Sequence, residues 1–446
     1  MESVSAGESL KCPVIPGEPA KPDHPIRRGH WIGLLCILIA TASLRIYRLD
    51  TPKGYYFDEI YFGYTARQCL AGNRDIYNPH AKPPAGVSNE WSHPPLGKLI
   101  SAAIMAIAGQ DEFGMRLSSA LMGCLAVLLV FLLTVALFES PQAGLLAAGL
   151  LSLEGLAFVQ SRMATVDSHV VVFLLASLLF YVIWRKQPGR SMLWLAAAGL
   201  AAGMMLATKW TGVFLLFLLG ADLLICGLFR LRPYSRKTVL AVVCCLVVLP
   251  VMVYLASYAQ CFAMGYGWRQ FWSLQRHMWR YHAHLQGHHA YQSVPWQWVL
   301  NVRPVWLYVR DGPGNTIANI YNLGNSVVLY FGVVAMATLA VRQFRRRSWA
   351  ALFLLAGYLI LWTPWAFSPR LMFFYHYLPA VPLLCVASGW LLARWQTNRR
   401  RWVRLAGWSV VALSAAWFIF FFPQMTAISV PQWWADAAYY WIPSWR

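Results

Sequence analysis

The sequence predicts an all-α polytopic membrane protein, and three observations carry that prediction. Of 446 residues, 59% are hydrophobic and 12% are charged, whereas a soluble domain carries about a quarter charged residues. Apolar runs of about 17–22 residues recur along the chain, long enough to cross a hydrocarbon core of roughly 30 Å. Lys and Arg gather in the short loops between those runs, which is the pattern of the positive-inside rule. Backbone polar groups in hydrocarbon must be satisfied internally, so runs rich in Leu and Ala read as helices rather than barrel strands. The net charge of +20 then reports membrane topology, and nucleic acid is set aside as a partner.

Taken in order, residues 1–28 hold five prolines and scattered charge with no apolar periodicity, which predicts a disordered cytoplasmic tail. The run 31–49 is long for the apolar core of a signal peptide and carries Arg45 and Arg48 at its far end, so it reads as a retained span. Further spans are expected at 117–138, 143–159, 166–184, 192–208, 213–229, 239–256, 323–341, 349–366, 371–393 and 403–422. The stretch 96–109 is short for a crossing and reads as interfacial.

If 96–109 does not cross, the inner loops hold Arg185, Lys186 and Arg190; Arg230, Arg232, Arg236 and Lys237; Arg342 and Arg345 to Arg347; and Arg394, Arg399 to Arg401 and Arg404. If it crosses, every later loop inverts and the charge rule fails. The expectation is therefore about eleven spans in one domain, 29–446. The tail lies inside, and two large outer loops run at 50–116 and 257–322. The protein is placed in the plasma (inner) membrane, with its chemistry on the extracytoplasmic face.

Residues 55–98 form the stretch around which the rest is arranged. Asp58 and Glu59 lie among Tyr55, Tyr56, Phe57, Ile60, Tyr61 and Phe62. Apolar flanks raise a carboxyl's pKa and keep water away, which suits a general base; the alternative is a pair of solvated loop acids or a helix cap. In His93-Pro94-Pro95-Leu96-Gly97-Lys98, the prolines fix an extended entry and Gly97 permits close approach of another backbone. His93 either faces a reaction centre or belongs to a rigid turn, and Lys98 is expected to snorkel to a head group.

Arg116 closes the first outer loop, and Lys209 stands alone on the outer side between two spans. Each is either a snorkelling cation or a ligand for a lipid phosphate. Glu154 lies within an apolar run, and Asp167 opens the next span shortly after Arg162. An ionisable group in a span is a functional candidate; an ordering pair with Arg162 is the other reading.

His277, His282, His284, His288 and His289 in the late loop read as scattered surface residues rather than a metal cluster. The nine cysteines show no zinc-type spacing. Cys69 and Cys261 fall outside, where a disulfide and two free thiols are both open.

These motifs together resemble the protein O-mannosyltransferases, polyprenyl- or dolichyl-phosphate-mannose–protein mannosyltransferases of the GT-C class. The residues that carry the resemblance come in order: Tyr56-Phe57-Asp58-Glu59, Ser92-His93-Pro94-Pro95-Leu96-Gly97-Lys98, Gly114-Met115-Arg116, Val159 to Ser168 around Arg162 and Asp167, and Lys209-Trp210-Thr211-Gly212. Later come Tyr291 to Trp298, Arg303-Pro304-Val305-Trp306, Arg370 to Pro379 and Trp441 to Trp445.

The resemblance implies an outward-facing site and a lipid-linked donor, polyprenyl-phosphate mannose. Asp58 would be the catalytic base and Glu59 would help place the acceptor. Arg116 and Lys209, with Arg370, would hold the carrier phosphate, while His93, Glu154 and Asp167 would support the site; Lys98 and Arg162 complete the expected substrate-binding set. Acceptors would be Ser and Thr of secreted or membrane proteins, and the secretion translocon is an expected associate. No metal-binding residue is assigned, and a divalent-metal requirement stays open at this stage.

The large outer loop has no β-trefoil insert, which makes the resemblance one to the bacterial type. A transferase of polyprenyl-phosphate sugar to a lipid of the lipid A type is the alternative; its second motif would begin with Lys where this chain has His93. A transporter is a further alternative, resting on Glu154 alone.

Overall fold

The computed structural model describes residues 26–186, 191–229, 235–285 and 287–446. The expected tail therefore lies outside the described residues up to position 25, as do Arg190, Arg230 and Arg232.

Each of the eleven expected segments is helical. Among the described residues, seven helices are long and apolar enough to cross a membrane: Arg28–Ile46 (α1), Glu112–Phe138, Asp167–Lys186, Arg236–Ser257, Ser326–Arg345, Trp349–Phe367 and Arg401–Met425. The other four expected segments are shorter. In chain order, the helices between α1 and the late loop are Phe62–Leu70 (α2), Leu96–Ala108 (α3), Glu112–Phe138 (α4), Pro141–Ser152 (α5), Gly155–Gln160 (α6), Asp167–Lys186 (α7), Met192–Leu206 (α8) and Gly212–Phe229 (α9). Then come Arg236–Val243 (α10), a π turn at Cys244–Val248, Leu249–Ser257 (α11), Ala259–Ala263 (α12) and Trp268–His284 (α13). After Pro295–Val299 (α14) follow Ser326–Arg345 (α15), Trp349–Trp362 (α16), Val381–Gln396 (α17) and Arg401–Met425 (α18).

Two boundaries differ from expectation for local reasons. The run 143–159 breaks at Leu153, because Glu154 caps α6 by accepting from the Ala157 amide at 2.7 Å. The same carboxylate accepts from the Asn325 amide at 3.1 Å, and Asn325 in turn caps α15. Glu154 thus joins two helix starts, whose unpaired N–H groups need an acceptor. The run 371–393 becomes helical only at Val381; before it, Phe374–Tyr377 forms a 3₁₀ turn.

The core is built around α7, 83% of whose most apolar window is buried, against 11% for the peripheral α10–α11 rod. Helix α7 packs between α4 and α8, and α17 packs on α5, α15 and α18. Helices α5 and α17 approach closely at Gly389, where an added Cβ would stand 2.3 Å from the Ala143 carbonyl oxygen. At the end of α7 away from Asp167, Arg185 pairs with Asp222 at 3.0 Å.

The late loop adds a small sheet to this helical body. Strands Val305–Gly312 (β1) and Thr316–Asn322 (β2) pair antiparallel in the register Val305↔Asn322 to Gly312↔Thr316. Gly314 and Asn315 turn the hairpin with positive φ values of 67° and 56°, the left-handed conformation that Gly and Asn tolerate best. Val430–Pro431 (β3) adds to β2.

Because backbone cannot yield as a flexible side chain does, Gly389→Val is expected to destabilise the fold by about 1–3 kcal/mol or more. A lowered melting temperature of the detergent-purified protein would show it; unchanged melting would contradict the close α5–α17 contact.

Candidate active site

The first outer loop is held from beneath by two buried arginines. The chain leaving α1 presents carbonyls with no helical partner. Arg162 donates to three of them, Leu44 at 3.0 Å, Arg45 at 2.7 Å and Arg48 at 3.3 Å. A guanidinium at a helix C-terminus also complements the dipole.

Arg116 takes three carbonyls further along, Leu49 at 3.0 Å, Pro52 at 2.8 Å and Gly54 at 3.0 Å. Its remaining donors grip Glu59 from Nε at 2.8 Å and Nη2 at 2.9 Å. These five bonds use all five N–H groups of the guanidinium, and both side chains of the pair are 0% exposed. Glu59 also accepts from the Ala164 amide at 2.9 Å. The guanidinium stacks on the Tyr56 ring at 4.9 Å, which Tyr308 of β1 backs at 6.1 Å. Arg116 therefore has no donor left for a phosphate, and Glu59 no lone pair facing an acceptor; the geometry makes both of them struts.

Asp58 precedes Glu59 in the 3₁₀ turn Phe57–Ile60 and is left without such a partner. Phe57 stands in the left-handed region at φ 48°, a costly conformation for a bulky residue that neighbouring structure must hold. Its ring meets those of His289, Phe373 and Tyr375 edge-on at 6.2–6.5 Å. The Asp58 carboxyl faces Asp167, Lys209 and Tyr375. Burial, reinforced by the Asp167 charge, pushes it up to about 7, against the pull of Lys209 and the Tyr375 hydroxyl.

Lys209 pairs with Asp167 at 2.7 Å. The motif at 93–98 reaches this pair through Gly97, where an added Cβ would meet Val166 at 2.7 Å and Thr208 at 2.9 Å. Beside it, Glu90 binds Lys98 at 2.6 Å and His93 Nδ1 at 2.8 Å. Burial alone would raise the Glu90 carboxyl, but Lys98 and His93 hold it well below the usual carboxylate range. Lys98, expected to snorkel to a head group, is instead 4% exposed and also donates to the His93 carbonyl at 2.8 Å.

His282, read from sequence as a surface residue, closes the site from the late loop. A guanidinium can only donate, so Arg370 Nη1, at 2.6 Å, donates a hydrogen bond to His282 Nδ1, which accepts. Nε2 must then carry the imidazole proton, which it donates to the Ser92 carbonyl at 2.7 Å. Burial first, and then the neighbouring His93 and Arg370 charges, push the imidazole down to about 3, so it is neutral. Among the described residues Arg370 has no carboxylate partner within ion-pair distance. No three His, Cys, Asp or Glu side chains among the described residues converge as a metal site.

Residues 35–264 match the family model described as dolichyl-phosphate-mannose-protein mannosyltransferase. The chain belongs to this family. Residues 267–445 match the C-terminal four-TMM region of protein-O-mannosyltransferase. The chain is 28% identical to the polyprenol-phosphate-mannose–protein mannosyltransferase of Mycobacterium tuberculosis, over 99% of this chain and 98% of that one. The protein of that description in Mycolicibacterium smegmatis is 25% identical, over 97% and 96% of the two chains.

Among solved structures, the Saccharomyces cerevisiae Pmt1–Pmt2 complex bound to the sugar donor superposes with a TM-score of 0.79 at 14% identity, covering 94% of this chain and 93% of that one. ArnT from Cupriavidus metallidurans bound to undecaprenyl phosphate gives 0.62 at 14% identity, covering 90% and 77%. At such identities the likeness is one of fold, and the fold of this mannosyltransferase family member is GT-C.

Of the residues singled out in the sequence, Asp58, His93, Asp167, Lys209 and Arg370 converge. Glu59, Arg116 and Arg162 brace the loop beneath them, and Glu154 joins helix starts. Sequence reasoning missed Glu90, His282 and Tyr375. A signal existed for Glu90, an acid three residues before His93 in a chain with only 17 acids. Cys69 and Cys261 are both buried free thiols in one apolar cluster with Tyr77 and Tyr258.

Replacing Arg116 by Lys keeps a charge but cannot serve three carbonyls and a bidentate carboxylate. Breaking a buried pair of this kind costs about 3–5 kcal/mol, so R116K should lose most folded protein or melt far lower. A stable R116K with normal melting would refute the strut role.

Proposed function

We propose that this chain transfers mannose from a polyprenyl-phosphate-mannose donor to Ser and Thr hydroxyls of secreted or membrane proteins. The reaction takes place at the extracytoplasmic face of the plasma membrane. The observation that carries this reading is the division of the acid pair. Glu59 is spent on Arg116, while Asp58, which meets the Tyr375 hydroxyl and has no ion-pair partner among the described residues, has its carboxyl pushed up to about 7, which suits proton transfer.

Asp58 accepts the proton of the acceptor hydroxyl. That oxygen bonds to the sugar C1 as the C1–O bond to the phosphate breaks, and polyprenyl phosphate leaves with the electron pair. One displacement inverts the anomeric centre. Arg370, whose guanidinium has no acidic partner among the described residues, and Lys209, shared with Asp167, stabilise the charge growing on the leaving phosphate. Asp167 and Tyr375 set the charge around the base. The Glu90–His93–Lys98 cluster fixes the wall that His282 and Arg370 lean on. An acceptor emerging unfolded from the secretion translocon would offer its hydroxyls to this face.

The full-length bacterial relatives are named for protein acceptors, which favours protein over glycolipid. Supplying labelled lipid-linked mannose with a Ser/Thr peptide tests this: label in the peptide is expected, and label in glycolipid alone would overturn it.

Asp58→Asn should lower kcat by about 10²–10⁴-fold with melting unchanged; near-normal turnover would remove Asp58 from the role of base. A base must be ionised to accept a proton, so kcat/KM should rise with pH through about 7 and then level. Asp167→Asn removes a neighbouring negative charge and frees Lys209, and both changes favour ionised Asp58. The acid limb should therefore move to lower pH; a limb that stays or moves up would contradict the coupling.

Arg370→Ala should raise the donor KM roughly ten- to hundred-fold, as expected for losing charge-assisted bonds, with Arg370→Lys intermediate. Unchanged donor kinetics would assign the phosphate elsewhere.

A further inference from the structure

Helix α13 packs on the end of α11, on α12 and on the turn between α8 and α9. Phe271, Leu274 and Met278 bury its inner face in a cluster with Tyr258 and Cys261. The Tyr254 hydroxyl of α11 donates to Gln275 Oε1 at 2.5 Å. Trp279 sits 6.5 Å from Trp210, in the turn between α8 and α9.

The outer face of α13 is divided lengthwise. At about 100° per residue, Trp268, Trp272 and Trp279 fall in one stripe and Arg269, Arg276 and Arg280 in the next. The three Trp side chains are 57%, 60% and 64% exposed, and the three Arg residues are also exposed. The helix contains no acid to neutralise them.

A Trp stripe beside an Arg stripe matches the layering of a bilayer surface, where rings sit at the glycerol level and guanidiniums bind phosphates. Three cations with no ion pair among the described residues give that surface a preference for negative charge.

We infer that the outer face of α13 docks on anionic phospholipid of the outer leaflet. The seating has a consequence at the site, because the last turn of α13 carries His282, whose Nδ1 holds Arg370. Anionic lipid then fixes the position of the cation assigned to the donor phosphate, and this second step rests on the proposed reading of Arg370.

The test uses the full chain in nanodiscs of phosphatidylcholine alone or mixed with phosphatidylglycerol. Hydrogen exchange across 268–284 should slow when phosphatidylglycerol is present. Native mass spectrometry should find phosphatidylglycerol retained on the wild type. The triple variant Arg269→Gln, Arg276→Gln, Arg280→Gln should lose both effects, with retention falling about five-fold for each arginine removed. Exchange that ignores phosphatidylglycerol, or a triple variant that behaves as wild type, would overturn the inference. So would protection of α13 that needs added acceptor protein and no anionic lipid.

In the same nanodiscs the wild-type donor KM should fall with phosphatidylglycerol, and that of the triple variant should not. Protection of α13 with no sugar transfer in either lipid would leave the docking surface standing and remove the catalytic reading instead.

Discussion

Glu59 and Arg116 meet out of contact with water, 57 residues apart in the chain, and every outward residue of the first loop takes its position from that meeting. A buried carboxylate and a buried guanidinium are each costly alone, so the pair tolerates few geometries. Arg116 narrows them further by binding the Leu49, Pro52 and Gly54 carbonyls of the chain that leaves α1. Adjacent residues in a short 3₁₀ turn cannot both point inward. Fixing Glu59 beneath the loop therefore turns Asp58 toward Asp167, Lys209 and Tyr375. The two acids look equivalent in sequence, yet one is a structural anion and the other has a carboxyl raised by burial.

The cations around the candidate site divide by the same reasoning. A cation serves an incoming phosphate only if its donors are free or shared on terms a stronger anion can change. Arg116 has none free, and Lys98 is enclosed by Glu90 and backbone carbonyls. Arg162 is turned to the end of α1. Lys209 has one acidic partner that also faces Asp58. Arg370 is held by a neutral imidazole, which orients a guanidinium without cancelling its charge. Among the described residues the arrangement leaves Arg370 without a carboxylate at ion-pair distance.

Much of the architecture was legible in the sequence because span length, apolarity and loop charge are local properties that a bilayer enforces. Gly97 was legible for a similar reason: two prolines and a glycine beside an apolar helix leave few conformations, and the close approach to Val166 and Thr208 follows. What could not be read was which charge meets which. The pairings Glu59–Arg116, Asp167–Lys209 and His282–Arg370 span 57, 42 and 88 residues, and nothing within a local window ranks them. His282 looked like a surface residue because α13 is amphipathic, and its face is decided by packing on α11 and α12. The β1–β2 hairpin escaped notice because its aromatic-rich strands share the composition of an interface loop. The delayed start of α17 has a physical origin too. Aromatic rings from Phe373 to Tyr377 pack around Phe57 and Trp298 in a 3₁₀ turn that a regular helix could not provide.

The proposed reaction moves negative charge across this constellation without changing its total. A phosphodiester donor carries about one negative charge, and ionised Asp58 carries another. After transfer Asp58 holds the proton, and the released phosphate monoester carries up to about two negative charges. Charge thus leaves the base and arrives at the phosphate, which is where Arg370 and Lys209 would be waiting. Fixed cations on the receiving side favour the product-like charge distribution over the initial one, the condition for stabilising a transition state rather than a ground state. Asp167 serves both ends of this transfer. In the proposed reaction it would hold Lys209 in place for the phosphate while its own charge made Asp58 a stronger base, so one carboxylate would raise the affinity for the proton and place the cation that draws off the leaving group.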